Sequence, residues 1–151
     1  MNKDSFYTEN SGYDYIRFPL LKPYEVRSND KGKEWFILGI PEKRVQDTNE
    51  VYGIKKINII NNVIICYCEG MKKIGRKERP VAIIKGKEYS EAWFILIPEL
   101  KTDKGFTTEQ EFRAYLQTQG IHKEQIEWKT PKELYEQFSK IHCLPWIPNC
   151  N

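Results

Sequence analysis

The chain has 151 residues, 40% of them apolar, 13% aromatic and 30% charged, with a formal net charge of +3. That length carries one hydrophobic core without disulfide staples, the aromatic share argues against a disordered chain, and so mild a charge neither demands nor excludes an anionic partner. No run reaches the ~20 apolar residues that would span a bilayer, and Met1-Asn2-Lys3-Asp4-Ser5 leads into no apolar leader stretch; the expected location is cytoplasmic, where Cys66, Cys68, Cys143 and Cys150 would be thiols.

Residues 1–12 are polar and read as a flexible N-terminal arm, with 13–151 as a single domain. Tyr13-Asp14-Tyr15-Ile16-Arg17-Phe18 alternates apolar and polar residues, a strand pattern that Pro19 stops. An extended piece at 24–27 precedes a turn at Ser28-Asn29-Asp30-Lys31-Gly32, and Glu34 to Pro41 reads as a buried strand. Residues 51–60 and 63–68 form the strongest hairpin candidate: Ile57, Ile59, Val63 and Ile65 are β-branched, and Asn61-Asn62 suits a two-residue turn because asparagine tolerates positive φ. A basic loop leads to a strand at 79–84, Gly86 turns the chain, and Ala92-Trp93-Phe94-Ile95-Leu96-Ile97 is a further strand ended by Pro98.

Beyond Pro98 the period changes. Thr107-Thr108-Glu109-Gln110-Glu111 holds two overlapping capping boxes, after which Phe112, Tyr115 and Leu116 share a helical face and Gly120 ends the helix. Thr130-Pro131-Lys132-Glu133 is a second start, with Leu134, Phe138 and Ile141 as the inward stripe. Leu144-Pro145-Trp146-Ile147-Pro148 cannot continue a helix. The expected class is therefore α+β: a largely antiparallel sheet of about five to seven strands over ~13–98, two short helices over ~107–119 and ~131–142, and an extended tail. Lys31-Gly32-Lys33-Glu34 before Trp35-Phe36-Ile37-Leu38 has an echo in Lys85-Gly86-Lys87-Glu88 before Trp93-Phe94-Ile95-Leu96. Two similar central strands account for it; a duplication would need longer self-similarity.

Candidate chemistry is sparse. Cys66 and Cys68, two apart on a strand, face one side; with Cys143, Cys150 and His142 they would make a metal site only if the tail folds back on them, and otherwise they are core fillers. A Cys143–Cys150 bridge would need oxidation. His142 and Cys143 could be drawn as a base and a nucleophile, although neighbours at a helix end do not face one another. No catalytic residue, cofactor site or metal set is assigned. Lys72, Lys73, Arg76, Lys77 and Arg79 make a basic loop offset by Glu78, open to phosphates or an acidic protein, or simply solvated. It lacks the stacking aromatics of a nucleic-acid binder and the Gly-Lys-Ser/Thr ending of a phosphate loop. Glu25, Asp30, Glu34 and Glu91 could gather as an acidic patch. Trp146 is a candidate partner anchor or a staple of its own tail.

Glu91-Ala92-Trp93-Phe94-Ile95-Leu96, Gly105-Phe106-Thr107-Thr108-Glu109-Gln110-Glu111-Phe112 and Cys143-Leu144-Pro145-Trp146-Ile147-Pro148-Asn149-Cys150 together resemble the immunity factors encoded beside bacterial polymorphic or contact-dependent toxins, mainly over 91–150. The resemblance implies a non-enzymatic cytoplasmic protein that binds one cognate toxin domain and blocks it. The expected function is thus protein binding, with Lys72, Lys73, Arg76, Lys77, Arg79 and Trp146 as candidate contacts. The alternatives are a nucleic-acid module using the 72–79 loop and a small enzyme. No membrane partner is expected.

Overall fold

The computed structural model describes residues 4–150 apart from 75, 76 and 81, and of 71–74 and 77–80 the backbone alone. Alternation and turn chemistry produce short antiparallel strands along most of the first two thirds of the chain. β1 (Ser11–Gly12), β2 (Tyr15–Pro19), β3 (Glu25–Ser28) and β4 (Phe36–Leu38) form one sheet in that order. β5 (Glu50–Val51), β6 (Ile54–Ile60), β7 (Val63–Glu69), β8 (Met71–Ile74), β9 (Lys77–Pro80), β10 (Ala82–Ile84), β11 (Lys87–Tyr89), β12 (Glu91–Ile97) and β13 (Thr102–Phe106) follow, then α1 (Glu109–Thr118) and α2 (Pro131–Ile141). β11-β10-β5 make a three-stranded sheet, β13-β12-β7-β6 a four-stranded one, and β8 and β9 pair as a hairpin.

The class is α+β with antiparallel pairing throughout the described strands. The strands are shorter and more numerous than the five to seven expected, and they do not stop at Pro98. Lys101 takes a left-handed conformation (φ 51°) after a 3₁₀ turn at Pro98–Leu100 and sends β13 back along β12. β13 reads poorly as a strand because it carries Asp103, Lys104 and Gly105. Asp103 is nevertheless buried, held by Lys43 Nζ at 2.7 Å and Asn49 Nδ2 at 2.7 Å. Asn49 Oδ1 also accepts from the Lys85 amide at 3.0 Å, so one buried amide ties the 43–49 loop to β13 and to the β10–β11 turn. Gly39 (φ 107°) ends β4 after three residues, five fewer than the eight expected from 34 to 41; a Cβ there would lie 2.3 Å from the Pro23 carbonyl oxygen.

The Asn61-Asn62 hairpin forms as expected, with φ of 50° and 63° at the two asparagines and Ile60 opposite Val63. Lys85-Gly86 makes the β10–β11 turn with a similar pair of positive φ values, and Lys31-Gly32, in the connection from β3 to β4, has such a pair too. The echo between the two segments is a shared turn: the strands that carry the two Trp-Phe-Ile-Leu runs lie in different sheets.

The β13-β12-β7-β6 sheet is covered on both faces. Ile64, Cys66 and Cys68 of β7 and Ala92, Phe94 and Leu96 of β12 face the larger cluster, which also takes in Phe18, Val26, Trp35, Leu134 and Phe138. Val63, Ile65, Ile95 and Ile97 face the smaller one, built on Phe112 and Leu116 of α1 and on Ile121. Thr108 caps α1 by accepting from the Glu111 amide at 3.2 Å, but the reciprocal half of the expected box does not form: the Thr108 hydroxyl donates to the Glu111 carboxylate at 3.0 Å. Thr130 and Glu133 form the expected box on α2. Leu134 and Phe138 are buried, but Ile141, in the last helical turn, is 55% exposed rather than inward.

The outer edge of β6 is not free: Ile57 exchanges two backbone hydrogen bonds with Lys129, at 2.8 and 3.1 Å. The segment after α2 is turned rather than extended, with the Ile147 amide bonded to the Leu144 carbonyl at 3.0 Å. Residues 4–12, expected as an arm, lie against β2. The buried Arg17 guanidinium bonds the Glu9 and Phe6 carbonyls and the Glu25 carboxylate. Among the described residues no helix is long and apolar enough to cross a membrane.

Candidate functional site

Strand register assembles a row of aromatic side chains across the face that α1 only partly covers. Trp93 on β12 sits opposite Tyr67 on β7 and opposite Phe106 on β13, and Lys56 on β6 flanks Tyr67. The Tyr67 and Trp93 rings are 5.0 Å apart. Phe106 continues the row to Tyr115 of α1 at 5.7 Å, beneath Lys104 Nζ at 4.7 Å from that ring. Tyr67, Trp93 and Phe106 are all half-buried. Such rings present a large rigid contact area with little side-chain entropy to lose.

Two residues further along both strands, Glu69 and Glu91 face each other as direct cross-strand partners, both exposed. Like charges in that position repel. The Tyr67 hydroxyl lies within hydrogen-bonding distance of both carboxylates, at 2.6 Å from Glu91 Oε2. A phenol has one proton and can donate to one of them at a time. Desolvation, then the bonds to Glu69 and Glu91, push this hydroxyl well above its ordinary value of 10.0, so it stays a neutral donor. Among the described residues no ion pair neutralises either acid; the Lys56 ammonium lies over the Tyr67 ring at 5.9 Å. The strip therefore offers two carboxylates with no ion pair among the described residues beside an aromatic face, a combination that attracts a cation both by charge and by the ring quadrupole.

No family model, curated protein or solved structure matches the chain.

The residues singled out in the sequence are scattered over the molecule. Lys72 and Lys73 lie on β8 and Lys77 and Arg79 on β9, with Lys72 opposite Arg79 and Lys73 opposite Glu78. The expected loop is thus a paired hairpin, whose Gly75 and Arg76 fall outside the described residues. The four proposed acids do not gather: Glu25 bonds Arg17 and Arg27, Asp30 accepts from Ser28 Oγ and the Glu34 amide, and Glu91 pairs across the strands with Glu69. Trp146 is half-buried and donates its indole N–H to the Pro19 carbonyl at 2.9 Å. Cys143 is bridged to Cys150, so in this form it is not a thiol nucleophile for His142, whose ring lies instead beside Phe138. The expectation of four thiols holds for Cys66 and Cys68 alone. Both are fully buried, and burial pushes both thiols well up. Among the described residues no three His, Cys, Asp or Glu side chains converge on a metal-sized site.

Sequence reasoning missed Tyr67, Glu69 and Phe106 as partners of Trp93 and Glu91. The available signal was the similar length of the 63–69 and 91–97 runs. Aligning them antiparallel brings Tyr67 opposite Trp93 and Glu69 opposite Glu91.

Proposed function

We propose that the chain is a non-enzymatic protein-binding protein that neutralises a cognate bacterial toxin domain in the cytoplasm of the cell that makes it. The observation that carries this reading is the Tyr67–Trp93 strip with its cross-strand Glu69–Glu91 pair. Tyr and Trp are the residues that anchor protein interfaces, and carboxylates at the rim speed capture of a partner with a basic cleft. The net charge of +3 argues against attraction by bulk charge; a local acid pair on a rigid sheet supplies attraction where contact is made. The resemblance of 91–150 to immunity factors supports the same reading, since that stretch contributes Glu91, Trp93 and Phe106.

The discriminating observation is the neighbouring gene: if it encodes a large secreted protein with a variable C-terminal domain, the test is co-expression of that domain with this chain. Rescue of growth and co-purification of the two polypeptides are expected. Glu69→Lys together with Glu91→Lys should weaken the complex on the order of 100-fold, since it sets like charges against the partner's basic cleft. Persistent toxicity with a soluble, folded chain present would end the proposal. Tight binding of an RNA or DNA oligomer, steeply salt-dependent and lost on neutralising Lys72, Lys73, Arg76 and Lys77, would replace it with the nucleic-acid reading.

A further inference from the structure

The chain has four cysteines, and they fall into two chemically distinct pairs. Cys66 and Cys68 are sealed in the larger core cluster, with no exposed surface and thiols raised by burial, so neither supplies a thiolate. Cys143 and Cys150 are both half-buried and joined, with Cα atoms 5.6 Å apart. Redox chemistry is therefore confined to the segment just after α2.

Besides the bridge, that segment is held by side-chain packing and one side-chain hydrogen bond to the body. Leu144 and Ile147 enter the larger cluster, and the Trp146 indole N–H reaches the Pro19 carbonyl at the end of β2. Pro145 and Asn149 are exposed. His142, just before the loop, and Asn149, inside it, both hold left-handed backbone (φ 54° and 61°), a conformation that asparagine tolerates and histidine adopts less readily. Two buried apolar side chains, the Trp146 ring packed against the same cluster and one indole hydrogen bond thus oppose the chain entropy of 143–150 together with the left-handed backbone of His142. Closing a loop of this length covalently shifts such an equilibrium on the order of 50-fold, by removing open conformations.

We propose that the Cys143–Cys150 disulfide is a redox-set latch that keeps the Trp146 segment docked on β2. In the reducing step a thiolate of a small dithiol attacks one sulfur of the bridge. The S–S bond breaks, a mixed disulfide forms, and the other sulfur leaves as a thiolate and takes up a proton. The second thiol of the reductant then displaces the attacked cysteine. Cys143 and Cys150 end as two thiols, and the reductant, having given up two electrons and two protons, ends as a disulfide. The released segment exposes the Trp146 indole and leaves the Pro19 carbonyl without its donor. It packs in the cluster on the face of the central sheet opposite to Tyr67, so the latch acts apart from the acidic strip.

The experiment is amide hydrogen exchange read by mass spectrometry on the whole chain, air-oxidised and then reduced with dithiothreitol. The oxidised protein should titrate two thiols after denaturation and the reduced one four. On reduction, amides of 143–150 should exchange on the order of 50-fold faster, while those of β7 and β12 keep their rates. The Cys143→Ser, Cys150→Ser double variant should match the reduced protein whether or not dithiothreitol is present. Four thiols in the oxidised protein would overturn the proposal. So would unchanged exchange at 143–150 after reduction, or equal acceleration in β7 and β12, which would make the bridge a staple of the whole fold. A double variant as protected as the oxidised chain would overturn it as well.

Discussion

Tyr67 does two jobs with one proton. Its hydroxyl stands between Glu69 and Glu91, and its ring supports Trp93. Tyr67→Phe keeps the ring and removes the donor, leaving two like charges opposed across the strands. The expected loss is about 1 kcal/mol in urea unfolding at neutral pH. The same substitution should alter the alkaline limb of stability. Because the folded state favours the neutral phenol, stability from Tyr67 is fully present below the ordinary value of 10.0 and is lost as pH rises beyond it, where the unfolded chain has already released its proton. The urea midpoint of the native chain should thus fall more steeply above about pH 10 than that of the variant. Tyr24, raised by burial and then by Asp103, keeps part of that slope in both. Equal slopes in the two proteins would show that the carboxylates do not hold the Tyr67 proton.

At the scale of the element, the clearest sequence signals were those whose chemistry is local. Thr130, Pro131 and Glu133 specify the start of α2 within four residues, and the cap they predict is present. Thr130→Ala should lower stability by about 1 kcal/mol, and Thr130→Ser should restore most of it, both read as shifts in thermal midpoint. The Asn61-Asn62 turn was legible for the same reason: two residues that tolerate positive φ stood between two β-branched runs. β13 was not legible, because what allows Asp103 into the interior comes from Lys43 and Asn49, more than fifty residues away. Ile141 misled for a different reason. Helical periodicity assigns a face but not how far the body extends beneath it, and α2 outruns its support in the last turn. The candidate strip lies between these cases: each of its residues sits in a recognisable strand, but the row exists only once three strands are in register.

For the molecule as a whole, the β13-β12-β7-β6 sheet is the common wall of two cores. Phe94 has no exposed surface and projects into the larger one; Phe94→Ala should lower unfolding free energy by about 3–5 kcal/mol. That is a large part of the 5–15 kcal/mol typical of a domain, and circular dichroism melts should show it as an early, still cooperative transition. Phe112, on the other face, packs with Trp128 and the smaller cluster. Phe112→Ala should lower stability by a similar order and in addition loosen the strip, since Phe112 lies beside Phe106. A partner that binds the strip would therefore lose affinity for Phe112→Ala and keep it for Phe94→Ala, measured at a temperature where both variants are folded.

The two hydrogen bonds between Ile57 and Lys129 have a consequence for how the molecule meets its own copies. A seven-residue border strand such as β6, rich in isoleucine, is the kind of template on which further chains add edge to edge. Here the stretch just before α2 occupies the middle of that border, and the Asn58 side-chain amide donates to the Glu127 carbonyl and closes the gap further. The chain thus caps its own most adhesive margin with a segment anchored by a helix, and self-association by strand addition must first peel that segment away.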